Sequence, residues 1–173
     1  MRRRIAGLAP ALFFVLLLRP EAAAADGFFA ESGPGIIHSR GSVAGFLKYQ
    51  KDAPALFRQA GFYEASYGWW SGANRNEAIA LARGLVWHAG EHGYLSFAAG
   101  LGRVRAKTGN LDTPVEILLR GAYGRRVGRY DISLGFTHFS NGKFFFRRIH
   151  PPWWDRGPNF GENFPTLQLG VTF

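Results

Sequence analysis

Apolar and polar residues alternate through most of this chain, and the alternation is clearest over residues 130–140. There Tyr130, Ile132, Leu134 and Phe136 are interleaved with Asp131, Ser133, Gly135 and Thr137, the period-two signature of a strand with one apolar and one polar face. His138 and Ser140 continue the apolar row. Other alternating segments fall at 28–38 (broken by Gly and Pro), 42–50, 62–70, 77–88, 94–105 and 115–123. The last, at 166–173, sets Leu167, Leu169, Val171 and Phe173 against Gln168, Gly170 and Thr172. Between them lie turn-rich separators, including 71–74, 90–93, 108–110 and a tight turn at 125–128. Residues 51–58, with Pro54 inside, read as a loop or a helical turn.

No segment of 26–173 carries a long helical pattern or an apolar run long enough to span a membrane as a helix. Eight short strands therefore predict an all-β fold, an eight-stranded antiparallel transmembrane β-barrel. The soluble alternative is a secreted β-sandwich or a lipocalin-like barrel, whose strands also alternate. The start of the chain bears on that choice. Met1-Arg2-Arg3-Arg4, an apolar stretch from Ile5 to Leu18 and the run Ala22-Ala23-Ala24-Ala25 read as a secretory signal peptide over 1–25. The apolar stretch is too short for a membrane anchor, and Pro10 and Pro20 interrupt it. Residues 26–173 then form one domain.

The chain has no cysteine, so a disulfide framework and a thiolate metal site are both excluded. Loss of 1–25 removes four arginines and one glutamate, so a formal charge of +9 becomes +6. For an exported barrel, that surplus points to anionic lipid head groups rather than nucleic acid. The 16 Phe, 6 Tyr and 5 Trp suit the aromatic girdles of such barrels.

His138 and Ser140 are the candidate chemistry. An imidazole and a hydroxyl are badly placed in a lipid-facing row unless they act, and residues i and i+2 of a strand are about 6.5 Å apart along it, near enough to hydrogen-bond. That is the base and nucleophile half of a hydrolytic triad. With both termini of the barrel on the periplasmic side, the pair lies near the extracellular end of the seventh strand. The segment after it, 143–157, mixes aromatics with cations that include Arg147 and Arg148, a composition suited to lipid phosphates.

His138-x-Ser140-Asn141-Gly142, with Pro158-Asn159-Phe160-Gly161-Glu162 and a terminal strand ending on Phe173, resembles the outer-membrane lipid A 3-O-deacylase family, often called PagL. The resemblance implies an eight-stranded barrel of the bacterial outer membrane that removes the 3-O-linked acyl chain of lipid A (lipopolysaccharide) with a Ser-His-Glu triad. His138 would be the base, Ser140 the nucleophile, Glu162 the orienting acid, and Asn141 and Gly142 the oxyanion donors. No metal or cofactor is implied, lipid A and the outer membrane are the partners, and a homodimer stays open. The long insert 143–157 departs from the family. Counting back from Phe173 puts Glu162 on the inward parity, so its role requires an irregularity around 163–165, where Pro165 suits a bulge. Two other readings stand beside this one. Outer-membrane phospholipase A has a similar His-x-Ser-Asn-Gly run, with an asparagine as third member, twelve strands and calcium at a dimer interface. A small structural or adhesive barrel would leave Ser140 idle.

Overall fold

The computed structural model describes residues 26–72, 74–141 and 160–173. They form β1 (Gly27–Pro34), a 3-10 turn (Ile37–Ser39), β2 (Val43–Leu56), β3 (Gln59–Trp70), β4 (Asn76–Ala89), β5 (Gly93–Val104), β6 (Val115–Val127), β7 (Tyr130–Ser140) and β8 (Glu162–Thr172). Each strand pairs antiparallel with its neighbours in sequence, and β8 returns to β1 from Gly27 opposite Thr172 to Ser32 opposite Leu167, closing an eight-stranded barrel. Closure matters because hydrocarbon offers no partner for the N–H and C=O groups of an open sheet edge. No helix among the described residues is long and apolar enough to cross a membrane; the crossing is made by strands.

Alternation along each strand sorts the residues. On β7, Leu134 is 68% exposed while its neighbours Ser133 and Thr137 are buried. Ile79, Leu81, Leu101, Ile132, Leu167 and Leu169 join Leu134 in an outward apolar surface, which water would not tolerate and lipid would. At the end of the barrel that carries the termini, Phe28 packs its ring against Tyr49 and Phe173.

The inside holds charge rather than a channel. Lys48 bonds Glu31 at 2.7 Å and also Gln168, while Arg120 pairs with Glu64 and donates to Thr137 at 3.1 Å. Thr137 in turn donates to Glu31 at 2.9 Å, and Tyr94 to Asp131 at 2.7 Å. Each of these charges thus has a partner from another strand, the condition under which such charges are tolerated. A cavity of about 30 Å³ among Glu31, Lys48, Glu64 and Arg120 is too small for anything but water. Toward the end away from the termini, the filling becomes apolar: Phe46, Trp70, Phe139, Phe164, Leu111 and Leu118 are all buried, with Phe139 stacked on Phe46.

Several boundaries differ from the sequence reading. Residues 51–56, expected as a loop, extend β2, and a shift of register between Ala53 and Leu56 accommodates Pro54. A bulge is where a strand can take a proline without losing a ladder bond. The turn there is Phe57-Arg58, both with positive φ. Arg125 to Val127 belong to β6, and only Gly128 and Arg129 turn. The first strand stops at Pro34, and β8 starts at Glu162 rather than Thr166.

Arg120→Ala should leave Glu64 uncompensated in the lumen and lower the barrel's stability by about 3–5 kcal/mol, read as a lower urea midpoint for the loss of heat-modifiable migration on gels. Replacing both partners, as Arg120→Met with Glu64→Leu, should recover much of that loss.

Candidate active site

Opposed residues of an antiparallel pair share a face, so the β6–β7–β8 register decides which side chains meet on the outside. Ser140 stands opposite Ile117 of β6, and His138 stands between Leu119 of β6 and Asn163 of β8. All are on the outward parity. The Ser140 hydroxyl lies 2.9 Å from His138 Nε2, and His138 Nδ1 lies 2.9 Å from Asn163 Oδ1. An amide oxygen can only accept, so the Nδ1–H donates to Asn163, which leaves the Nε2 lone pair facing the Ser140 O–H. That is the tautomer a serine nucleophile needs. Three polar side chains on an apolar stretch of the outer face, among Ile117, Leu119 and Phe136, thereby satisfy one another.

Asn163 is itself held from behind. β8 pairs with β1 only as far as Leu167, and the 3-10 turn takes over the exposed edge beyond it. The Ile36 N–H donates to the Asn163 carbonyl at 3.0 Å, and the Asn163 N–H donates to the buried Ser39 Oγ at 2.8 Å. Gly161 completes the cradle with a positive φ of 75°; a Cβ there would stand 2.6 Å from His138 Cε1 and 2.8 Å from the Phe139 carbonyl. Any other residue would push the imidazole off its line. Ser39 and Asn163 were not among the residues expected from sequence, and Gly161 stood only within the run that carries the resemblance, with no role at the site. For Asn163 the signal existed: it shares the odd parity of Leu167 and Leu169.

The expected role of Glu162 is corrected by the same register. β7 and β8 pair without a break from Tyr130 opposite Val171 to Phe139 opposite Glu162, so no irregularity occurs at 163–165 and Glu162 faces the lumen. Pro165 needs no bulge because pairing with β1 has already ended at Leu167. The Glu162 side chain is fully buried, and its Oε1 accepts from Asn110 Nδ2 at 3.0 Å; the same amide group donates to the His38 carbonyl at 2.8 Å. Glu162 therefore ties the segments around His38 and Asn110 to the start of β8. Asn141 also turns inward, its Nδ2 donating to Asp112 at 2.9 Å, so its side chain is not directed to the lipid face. Gly142, Arg147, Arg148 and the rest of the 143–157 insert lie outside the described residues. Among the described residues, no group of three or more His, Asp or Glu side chains is arranged to hold a metal ion.

A serine-directed organophosphonate should label Ser140, followed by mass spectrometry of the peptides. Asn163→Ala should slow labelling on the order of 10²-fold, the low end of what a correctly held general base supplies. Asn163→Asp, which keeps the acceptor, and Glu162→Gln should each stay within a few-fold of the parent. A Glu162→Gln rate as low as that of Asn163→Ala would restore the carboxylate to the site.

No family model matches the chain, and no curated protein matches it. Solved structures do match it. The outer-membrane enzyme PagL shares 17% identity, with a TM-score of 0.65 over 86% of this chain and 100% of that one. A de novo designed transmembrane β-barrel shares 10% identity, with a TM-score of 0.59 over 88% and 98%. The Yersinia pestis outer-membrane protein Ail, in a phospholipid bilayer nanodisc, shares 10% identity, with a TM-score of 0.51 over 87% and 100%. At such identities the likeness is one of fold: this chain has the architecture of an eight-stranded outer-membrane β-barrel.

Proposed function

We propose that this barrel is an outer-membrane lipid esterase that removes the 3-O-linked acyl chain of lipid A, with Ser140 as nucleophile, His138 as base and Asn163 as the residue that orients the base. The observation that carries the reading is the unbroken hydrogen-bond line Ser140–His138–Asn163 on the lipid-facing surface. A barrel with only a structural role has no use for a base-paired serine there. The fold shared with the enzyme PagL and the sequence resemblance over 136–173 support the substrate class.

In this mechanism Ser140 Oγ attacks the ester carbonyl as its proton passes to His138 Nε2. The tetrahedral oxyanion is met by the main-chain N–H of Asn141, since the Asn141 amide side chain is engaged with Asp112; the family resemblance adds Gly142 as a second donor. The imidazolium returns the proton to the departing 3-hydroxyl, leaving an acyl-serine. Water, deprotonated by the same imidazole, then releases the fatty acid and regenerates Ser140. Donors in an apolar setting stabilise such an oxyanion far better than in water. Asn163 supplies orientation without the charge of a carboxylate. Arg147 and Arg148 are proposed to meet the lipid A phosphates.

One observation favours a second reading. An asparagine as third member is what the resemblance to outer-membrane phospholipase A implies, so phospholipid is the competing substrate.

Refolded protein incubated with lipid A and with phospholipid, and the products weighed by mass spectrometry, tests both. Loss of one 3-O-acyl group from lipid A with phospholipid intact is the expected result. Fatty acid release from phospholipid alone would select the second reading, and intact lipids in both would return the chain to a non-enzymatic role. Ser140→Ala and His138→Ala should each abolish cleavage while retaining heat-modifiable migration, because either loss removes most of a coupled pair's advantage.

A further inference from the structure

A glycine inside a strand weakens it, and usually something in the structure accounts for its presence. The outward-facing strand glycines of this barrel follow that rule with one exception. A Cβ on Gly45 would run into the Trp69 ring, and one on Gly61 into the Arg83 guanidinium. A Cβ on Gly121 would meet only the Ser96 carbonyl, at 3.9 Å. Gly121 has no positive φ, sits in the middle of β6, and has no ring over it. Neither packing, nor a turn, nor backbone conformation explains a residue without a side chain there.

Its place does. Gly121 lies opposite Phe136 of β7 and Phe97 of β5, both exposed on the lipid face. Two residues along β6 is Leu119, the outward neighbour of His138. Phe136 is four residues from Ser140 on β7, about 13 Å along the strand at 3.3 Å per residue. The missing side chain leaves a dent in the apolar surface, walled by two phenylalanines, on the path from the nucleophile toward the middle of the barrel wall.

We propose that Gly121 is a specificity-determining position, the seat of the acyl chain whose ester is cut at Ser140. The inference rests on the lipid-esterase reading. A chain bonded through its carbonyl at Ser140 passes Leu119 and lies against the β6 backbone between Phe97 and Phe136. Chains too short to reach about 13 Å from the ester do not touch the dent. A Cβ at 121 would have only the Ser96 carbonyl within 4 Å, at 3.9 Å, so a larger side chain enters the dent without first displacing a neighbour.

The test is a series of nitrophenyl esters from butanoyl to hexadecanoyl in detergent micelles, with wild type, Gly121→Ala, Gly121→Leu and, as a lipid-facing control remote from the site, Leu81→Phe. Each is first checked for heat-modifiable migration. Gly121→Leu should lower kcat/KM for the hexadecanoyl ester by about tenfold or more, the worth of a filled apolar subsite, and leave the butanoyl ester within twofold. Gly121→Ala should fall between, and Leu81→Phe should match wild type. An unchanged chain-length profile in a folded Gly121→Leu barrel would overturn the proposal, as would equal loss on short and long esters or the same selective loss in Leu81→Phe. If the wild type cleaves no ester in the series and no lipid, the esterase reading itself fails and takes this one with it.

Discussion

Everything in this molecule follows from a two-valued choice imposed on each residue: lipid or lumen. A closed barrel has no third environment along its strands, and successive side chains must take opposite sides. The choice is unforgiving because an unpaired polar atom facing hydrocarbon costs several kcal/mol. His138, Ser140 and Asn163 are polar residues assigned to the lipid side, and they meet that cost by bonding one another at 2.9 Å. The geometry that keeps them soluble in lipid is the same geometry that prepares a nucleophile.

On the other side of the wall the same logic gathers charge. Glu31, Lys48, Glu64, Arg120 and Asp131 lie eleven residues or more apart in the chain and on five different strands, yet each finds an opposite charge or a donor. The interior therefore ties the strands of the sheet to one another across the lumen. The aromatic filling next to it, Phe46, Trp70, Phe139 and Phe164, lies directly behind the site: Phe139 sits between His138 and Ser140, and Phe164 follows Asn163. Each outward member of the site is flanked by an inward anchor.

How much of this could be read from the chain depended on where the two-residue period was intact. Over 130–140 and 166–173 it is clean, and there the architecture, the outward row and the pairing of His138 with Ser140 as neighbours on one face were all legible. It is blurred at 51–58, because Pro54 imposes a bulge and a bulge resets parity. The third member of the site shows the opposite error. Parity applied without exception selects Asn163; an expectation that the acid of a triad must be a carboxylate required a bulge to bring Glu162 outward, and the unbroken β7–β8 register has none. The contributions of Ser39 and Gly161 were beyond reach, since both depend on a loop more than a hundred residues away or on a left-handed backbone that sequence does not display.

The bond between His138 and Asn163 crosses from β7 to β8, and β8 is the strand that completes the barrel. A chain whose last strand has not docked carries a serine and a histidine but nothing to hold the ring. One that closes with the strand slipped by a single position presents Glu162 or Phe164 to His138 instead. Under the proposed esterase reading, chemical competence is thus a readout of assembly: the register that seals the sheet is the one that sets Asn163 beside His138.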